Sequence, residues 1–192
     1  MPVIDYGCAK VKLIVLSKSS KVPSTRRLLE AARARGHQAR VLNPSSVELE
    51  LSAKKSKLTH HRKTIATPDV VIPRIAPSVA SWGLALADQF ALGGAKVMNS
   101  AKAIGQSRNP LRCLQLLSSQ GIEIPATVMA RAASDLKEMV SLVGGMPVLV
   151  KLLKSHEHGA VLVCENMASL ESSLEAVLGL KENLLLQEYV PT

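Results

Sequence analysis

Apolar runs and helical segments alternate through the first half of this chain, and that alternation restricts the fold to an α/β layer with a parallel sheet. Val11-Lys12-Leu13-Ile14-Val15-Leu16 reads as a buried strand. Ser24 stands where a residue would cap a helix running to about 35, with Leu28, Leu29 and Ala32 inward and Gly36 closing it. Residues 37–42 form the next strand, Val70-Val71-Ile72 the third, ended by Pro73, and Lys96-Val97-Met98 the fourth, after a helix over 78–92. Between the second and third strands, the basic stretch 45–66 carries β-prone pieces at Val47-Glu48-Leu49 and Lys57-Leu58-Thr59, spaced for a hairpin.

The second half changes character. Asn109-Pro110 opens a helix with asparagine as cap and proline at the first position. Leu111, Leu114 and Leu117 follow at helical spacing and are expected to face inward; Gly121 ends the helix. Strands are then expected over 126–129, 147–153, 159–164 and 184–189, and helices over 134–142 and 167–178, with Gly144-Gly145 at a turn. The reading is an extension over 1–10, a parallel α/β domain over 11–100, a connecting helix over 101–124 and an α+β part over 125–192.

Composition removes several classes of function. At 192 residues and 47% hydrophobic, the chain can build a core and is not disordered. The four aromatic residues, Tyr6, Trp82, Phe90 and Tyr189, are too few for a base-stacking platform. Charge is uneven: residues 1–64 hold 14 Lys/Arg against 4 Asp/Glu, and residues 65–192 hold 10 against 11. The basic half suits an acidic partner, with a solvated face as the plainer account. Cys8, Cys113 and Cys164 form no CxxC pair, so neither a disulfide framework nor a zinc ribbon is indicated, and Cys113 and Cys164 read as reduced core residues. His60-His61, and His156 with His158, lack further ligands at metal spacing and read as solvated turns; no metal residue is expected. No apolar run approaches membrane-spanning length and the first residues do not resemble a signal peptide, so a cytoplasmic location is expected.

Two apolar strands carry the chemistry. Pro147-Val148-Leu149-Val150 ends on Lys151, and Leu184-Leu185-Leu186 feeds into Gln187-Glu188-Tyr189-Val190. One offers a lysine to phosphate; the other ends in a hinge whose backbone can pair with a purine edge. Trp82 reads as a core or domain-contact residue, and Arg74 as either substrate-facing or a loop charge.

These residues, in order, resemble the RimK-type ATP-grasp ligases, which add glutamate to the C-terminus of a ribosomal protein. The matching pieces are Arg35-Gly36-His37, Val71-Ile72-Pro73-Arg74-Ile75, Gln115-Leu116-Leu117, Gln120-Gly121-Ile122, Val143-Gly144-Gly145 with Pro147, Val150-Lys151-Leu152 and Gln187-Glu188-Tyr189. The resemblance implies a pre-ATP-grasp α/β domain followed by the first ATP-grasp subdomain, and ATP as cofactor. It implies that Lys151 meets phosphate, and that Gln187, Glu188, Tyr189 and Val190 form the adenine side. It also implies an acidic protein tail or ribosomal protein as partner.

Three departures weaken the activity that the resemblance implies. Asn109-Pro110 stands where the family has Asp-Lys, and proline brings neither charge nor backbone N–H; Arg108 and Arg112 are out of register to replace the lysine. The family's glycine-rich phosphate loop corresponds to Lys154-Ser155-His156-Glu157-His158-Gly159-Ala160, with one glycine and an unfavourable carboxylate at Glu157. The family's magnesium carboxylates correspond to positions beyond Thr192. The expectations are therefore an incomplete ATP-grasp domain, weak or lost ATP binding, no catalytic residue within the chain, and exposed apolar side chains on the strand over 184–189. The alternatives are a non-catalytic remnant or binding module of the same lineage and, last, a basic nucleic-acid-binding protein.

Overall fold

The computed structural model describes residues 9–53, 55–130, 135–152, 161–178 and 184–191. The chain divides into two compact units, residues 1–106 and 107–192.

The first unit is built on four parallel strands: β1 (Lys12–Leu16), β2 (Gln38–Leu42), β6 (Val70–Pro73) and β7 (Lys96–Val97), in the order β2-β1-β6-β7. α1 (Pro23–Ala34) makes the crossover from β1 to β2. Pro23, with its fixed φ, starts α1 two residues earlier than expected, and Val22 occupies the cap position without a side-chain bond. Ser24 is therefore not the cap; its hydroxyl accepts from the Arg74 guanidinium at 3.0 Å, which makes Arg74 a tie between β6 and α1. At the other end, Gly36 adopts φ +80°, a backbone that a side chain would strain, and lets its N–H reach Arg33 O while the His37 N–H reaches Ala32 O.

The stretch between β2 and β6 forms its own antiparallel sheet of β3 (Val47–Leu51), β4 (Ser56–His60) and β5 (Lys63–Thr64). The expected hairpin is its first half. The second turn, at His61 and Arg62, has both residues at positive φ, as a two-residue hairpin turn requires. α2 (Ala80–Leu92) lays Leu86, Ala87 and Phe90 against Ile14, Leu16 and Val71. Trp82 is neither buried nor central: at 37% exposed, its indole N–H donates to Pro44 O at 2.9 Å.

The segment 101–124 carries two helices rather than one connecting helix: α3 (Ala101–Ser107) and α4 (Pro110–Ser119). Pro110 forces its predecessor out of the helical region, and Asn109 sits at φ −107°, ψ 104°. The Asn109 carboxamide then caps α4 by accepting from the Arg112 N–H at 3.1 Å. Leu111, Leu114 and Leu117 are half-buried, not fully inward.

The second unit is a sheet of order β10-β9-β11-β8, antiparallel throughout: β8 (Thr127–Ala130), β9 (Val148–Leu152), β10 (Val161–Cys164) and β11 (Leu184–Glu188). α5 (Leu136–Leu142) and α6 (Met167–Leu178) cover one face through Met139, Val140, Leu170 and Leu174, which pack on Val148, Val150 and Leu186. Cys164 is buried in this core, whereas Cys113 is half-buried and outside it.

One expectation fails here. Leu185 and Leu186 are fully buried, Leu186 in the core under α5 and α6; β11 itself lies inside the sheet, with β9 on one side and β8 on the other. Exposed apolar residues of this unit include Val161 and Val163 on the edge strand β10, both more than half exposed, Leu142 at the end of α5, and Tyr189 and Val190 past the end of β11. Hydrogen exchange should follow this order. Amides of β9 and β11, bonded on both sides, should be the slowest in this unit, and those of β10 the fastest among its strands. Faster exchange in β11 than in β10 would contradict the strand order.

Candidate functional site

Side chains alternate across a strand, so the sheet of the second unit has two different faces. Val148, Val150 and Leu186 point at the helices; Leu149, Lys151, Leu185 and Gln187 point away from them. Lys151 pairs directly with Leu185, and Gln187 with Leu149 on one side and Thr127 on the other. Lys151 and Gln187 are thus diagonal neighbours across two strands, within reach of two long side chains.

They meet. Lys151 Nζ donates to Gln187 Oε1 at 2.6 Å, Gln187 Nε2 donates to Thr127 Oγ1 at 2.8 Å, and the Thr127 hydroxyl donates to Pro125 O at 2.8 Å. Gln187 is 4% exposed, so both ends of its carboxamide are satisfied by this string rather than by water. An ammonium group has three N–H donors, and the carboxamide takes one. Lys151 is half-buried and holds its remaining donors on the face away from the helices.

The end of β11 is organised differently from a plain ladder. The Glu188 N–H donates to Ala126 O at 2.8 Å. The return bond does not go to the Glu188 carbonyl: the Ala126 N–H donates to the Glu188 carboxylate at 3.0 Å. Among the described residues, the Glu188 carbonyl therefore keeps no ladder donor on that side. One residue on, register would place Tyr189 opposite Pro147, which has no N–H to give. The ladder stops, and Tyr189 and Val190 leave the strand 39% and 56% exposed. The side chain of Glu188 is structural; its backbone and the two residues after it are what remain open to a ligand.

The structure thus gathers Lys151 with Gln187, and Glu188 with Tyr189 and Val190, at β9 and the end of β11. Thr127 belongs to the same string and went unnoticed in the sequence. Only the order of strands brings β8 beside β11, and spacing along the chain does not encode that order. His156, Glu157, His158 and Gly159 lie outside the described residues. His60 and His61 touch edge to face, with ring centroids 4.1 Å apart. Among the described residues, no three His, Cys, Asp or Glu side chains gather as metal ligands.

Residues 11–104 match the model of the RimK pre-ATP-grasp domain, and residues 107–192 that of the RimK-like ATP-grasp domain. The chain belongs to the RimK family. Among curated relatives, probable alpha-L-glutamate ligases of Pseudomonas paraeruginosa and Coxiella burnetii are 39% and 37% identical over 180 residues, covering 94% of this chain. The chain spans about 60% of the length of these relatives. Several solved structures share the fold. The ATP-grasp RimK domain protein of Sphaerobacter thermophilus aligns at TM-score 0.69 with 23% identity, over 94% of this chain and 64% of its own. The ATP-grasp ligase PsnB, complexed with a minimal precursor, aligns at 0.71 with 18% identity, over 95% and 65%. The macrocyclase MdnC of Microcystis aeruginosa, bound with its precursor peptide, aligns at 0.63 with 15% identity, over 93% and 65%. The fold is that of an ATP-grasp ligase, α/β with a parallel first sheet. Among the described residues no helix is long and apolar enough to cross a membrane.

Proposed function

We propose that this chain supplies the first domain and the nucleotide-holding sheet of a cytoplasmic, ATP-dependent alpha-L-glutamate ligase that extends the C-terminal end of a peptide or protein. The observation that supports it most is the lysine–carboxamide–hydroxyl string on the face away from the helices, next to a strand end whose carbonyl has no ladder partner. Bound ATP would supply phosphorylation of a carboxylate, which opens it to attack by an amine.

In this reading the Glu188 carbonyl and the backbone of Tyr189 and Val190 meet the adenine edge, and Lys151 meets a phosphate oxygen. Gln187 holds the ammonium group in place before the ligand arrives, which lowers the ordering cost of binding. These residues suit the base and one phosphate. No magnesium ligand is assigned, since the described residues bring no suitable cluster together. The neighbours complexed with precursor peptides favour a peptide acceptor. An amide-resolved titration tests the site. ATP should shift Lys151 and residues 188–190 and leave residues 11–100 still. Shifts confined to 11–100 would refute the assignment.

A second reading, a nucleotide-binding module without catalysis, is favoured by Pro110, which removes a cation from the start of α4. It predicts that this 192-residue polypeptide, given ATP, magnesium, glutamate and an acceptor peptide, releases no ADP and adds no glutamate. Steady turnover would leave the first reading alone.

A further inference from the structure

The basic excess of the first 64 residues is not spread evenly over a solvated surface. Part of it lines a cavity of about 400 Å³ at the amino ends of β1 and β2, roofed by the residues that lead into β6. Lys12, Arg33, His37 and Arg40 stand on its wall, and Leu13, Ile14, Ala66 and Pro68 make the apolar part. Register puts Lys12 beside Gln38 and Ile14 beside Arg40, so these four project from the same face of the sheet.

The charges are available. Arg33 Nη2 donates to Ala39 O at 3.2 Å, which steadies the guanidinium at the wall and leaves four of its N–H donors. Among the described residues neither the Lys12 ammonium nor the Arg40 guanidinium has an ion-pair partner. Asp69 carries the nearby carboxylate, and it already accepts from the Lys12 backbone N–H at 2.6 Å. The buried His37 Nδ1 has no hydrogen-bond partner, whereas buried polar atoms are nearly always satisfied. The His37 ring is part of the cavity wall, with this nitrogen turned into the protein.

We infer that this cavity is a docking pocket for the carboxylates of an acidic peptide. Two guanidinium forks and an ammonium group match carboxylate oxygens, and the apolar wall takes the methylene stems of glutamate side chains. A nucleotide fits less well, because no Phe, Tyr or Trp lines the cavity to stack a base and the one ring there is His37. The volume suits a segment of a few residues. Parallel sheets usually take ligands at the carboxyl ends of their strands. Here polar side chains at that end already bond to one another, Ser17 Oγ with Thr25 Oγ1 at 2.9 Å and Arg74 with Ser24. Naming the peptide as the glutamate-extended tail rests on the ligase reading above; the pocket itself does not.

Calorimetry at low salt with tri-glutamate, tri-glutamine and inorganic phosphate tests the pocket. Tri-glutamate should bind and tri-glutamine should not. The double variant Lys12→Gln with Arg40→Gln should weaken tri-glutamate binding about tenfold or more while ATP still shifts Lys151 and residues 188–190. In the unsubstituted protein, tri-glutamate should shift the His37 ring resonances, a readout that needs no variant to fold. Equal binding of tri-glutamine, indifference to the double variant, a still His37, or binding of phosphate alone would each overturn the carboxylate assignment. Loss of the ATP shifts with tri-glutamate binding intact would instead sink the nucleotide reading and leave the pocket standing.

Discussion

Leu86→Ala should destabilise the first unit by about 2–5 kcal/mol, the cost of emptying a fully buried leucine site. Leu86 is 0% exposed, on the face of α2 that packs against Ile14, Leu16 and Val71. A domain of this size is stable by only about 5–15 kcal/mol in total, so one side chain removes a large fraction. Leu92, at the end of the same helix, is 82% exposed. Leu92→Ala should stay within about 0.5 kcal/mol of the parent and serves as control. Trp82, the chain's one tryptophan, lies in α2 and reports unfolding of this unit separately from the other. Urea titration followed by its fluorescence should show an early midpoint for Leu86→Ala and the parental midpoint for Leu92→Ala. Coincident midpoints for the two variants would mean that α2 does not dock through Leu86.

The strands and helices were legible because their residues repeat with the period of the element. Val11 to Leu16 and Val70 to Ile72 are apolar runs that sit in the middle of a parallel sheet, and they read as such. Helix boundaries were legible where one residue dictates the backbone, as at Gly36 and at Asn109-Pro110. The failures have a common origin in contacts that join distant parts of the chain. The burial of Leu185 and Leu186 depends on what packs on the two faces of the sheet, and nothing local to residues 184–188 states that. Gly83, not singled out in the sequence, is set by such a contact too. A Cβ there would fall 2.9 Å from Ile75 Cγ1, and Ile75 is eight residues away. At the site, Lys151 and Gln187 were visible as chemistry, but their bond and its continuation to Thr127 are a product of register. Glu188 was visible as a carboxylate, and only the fold gives its partner, the Ala126 N–H.

Nucleotide affinity should fall about tenfold or more in Lys151→Ala, because a charge-assisted contact to phosphate is worth roughly 1.5–3 kcal/mol. The parent should itself bind ATP weakly. Asn109-Pro110 gives α4 a sound start, with the cap bond to the Arg112 N–H, yet offers no charge there. Pro110→Lys restores a cation at the position where the resemblance places one, and should strengthen binding by a similar factor. The helix should survive the change, since the Asn109 cap does not depend on the proline ring. Lys151→Ala has a structural cost as well. It leaves Gln187 Oε1 buried without its donor, a loss of about 1–3 kcal/mol of stability in the second unit. Lys151→Arg separates the two effects, because it keeps a donor and a positive charge. Binding should be partly retained in Lys151→Arg and lost in Lys151→Ala, with both proteins folded by circular dichroism. The combination Lys151→Ala with Pro110→Lys then decides whether the two cations act on one ligand. If they do, calorimetry should return the double variant to near the parental affinity. Affinity that ignores Lys151→Ala yet rises with Pro110→Lys would place the phosphates at the start of α4 and away from the β9–β11 string.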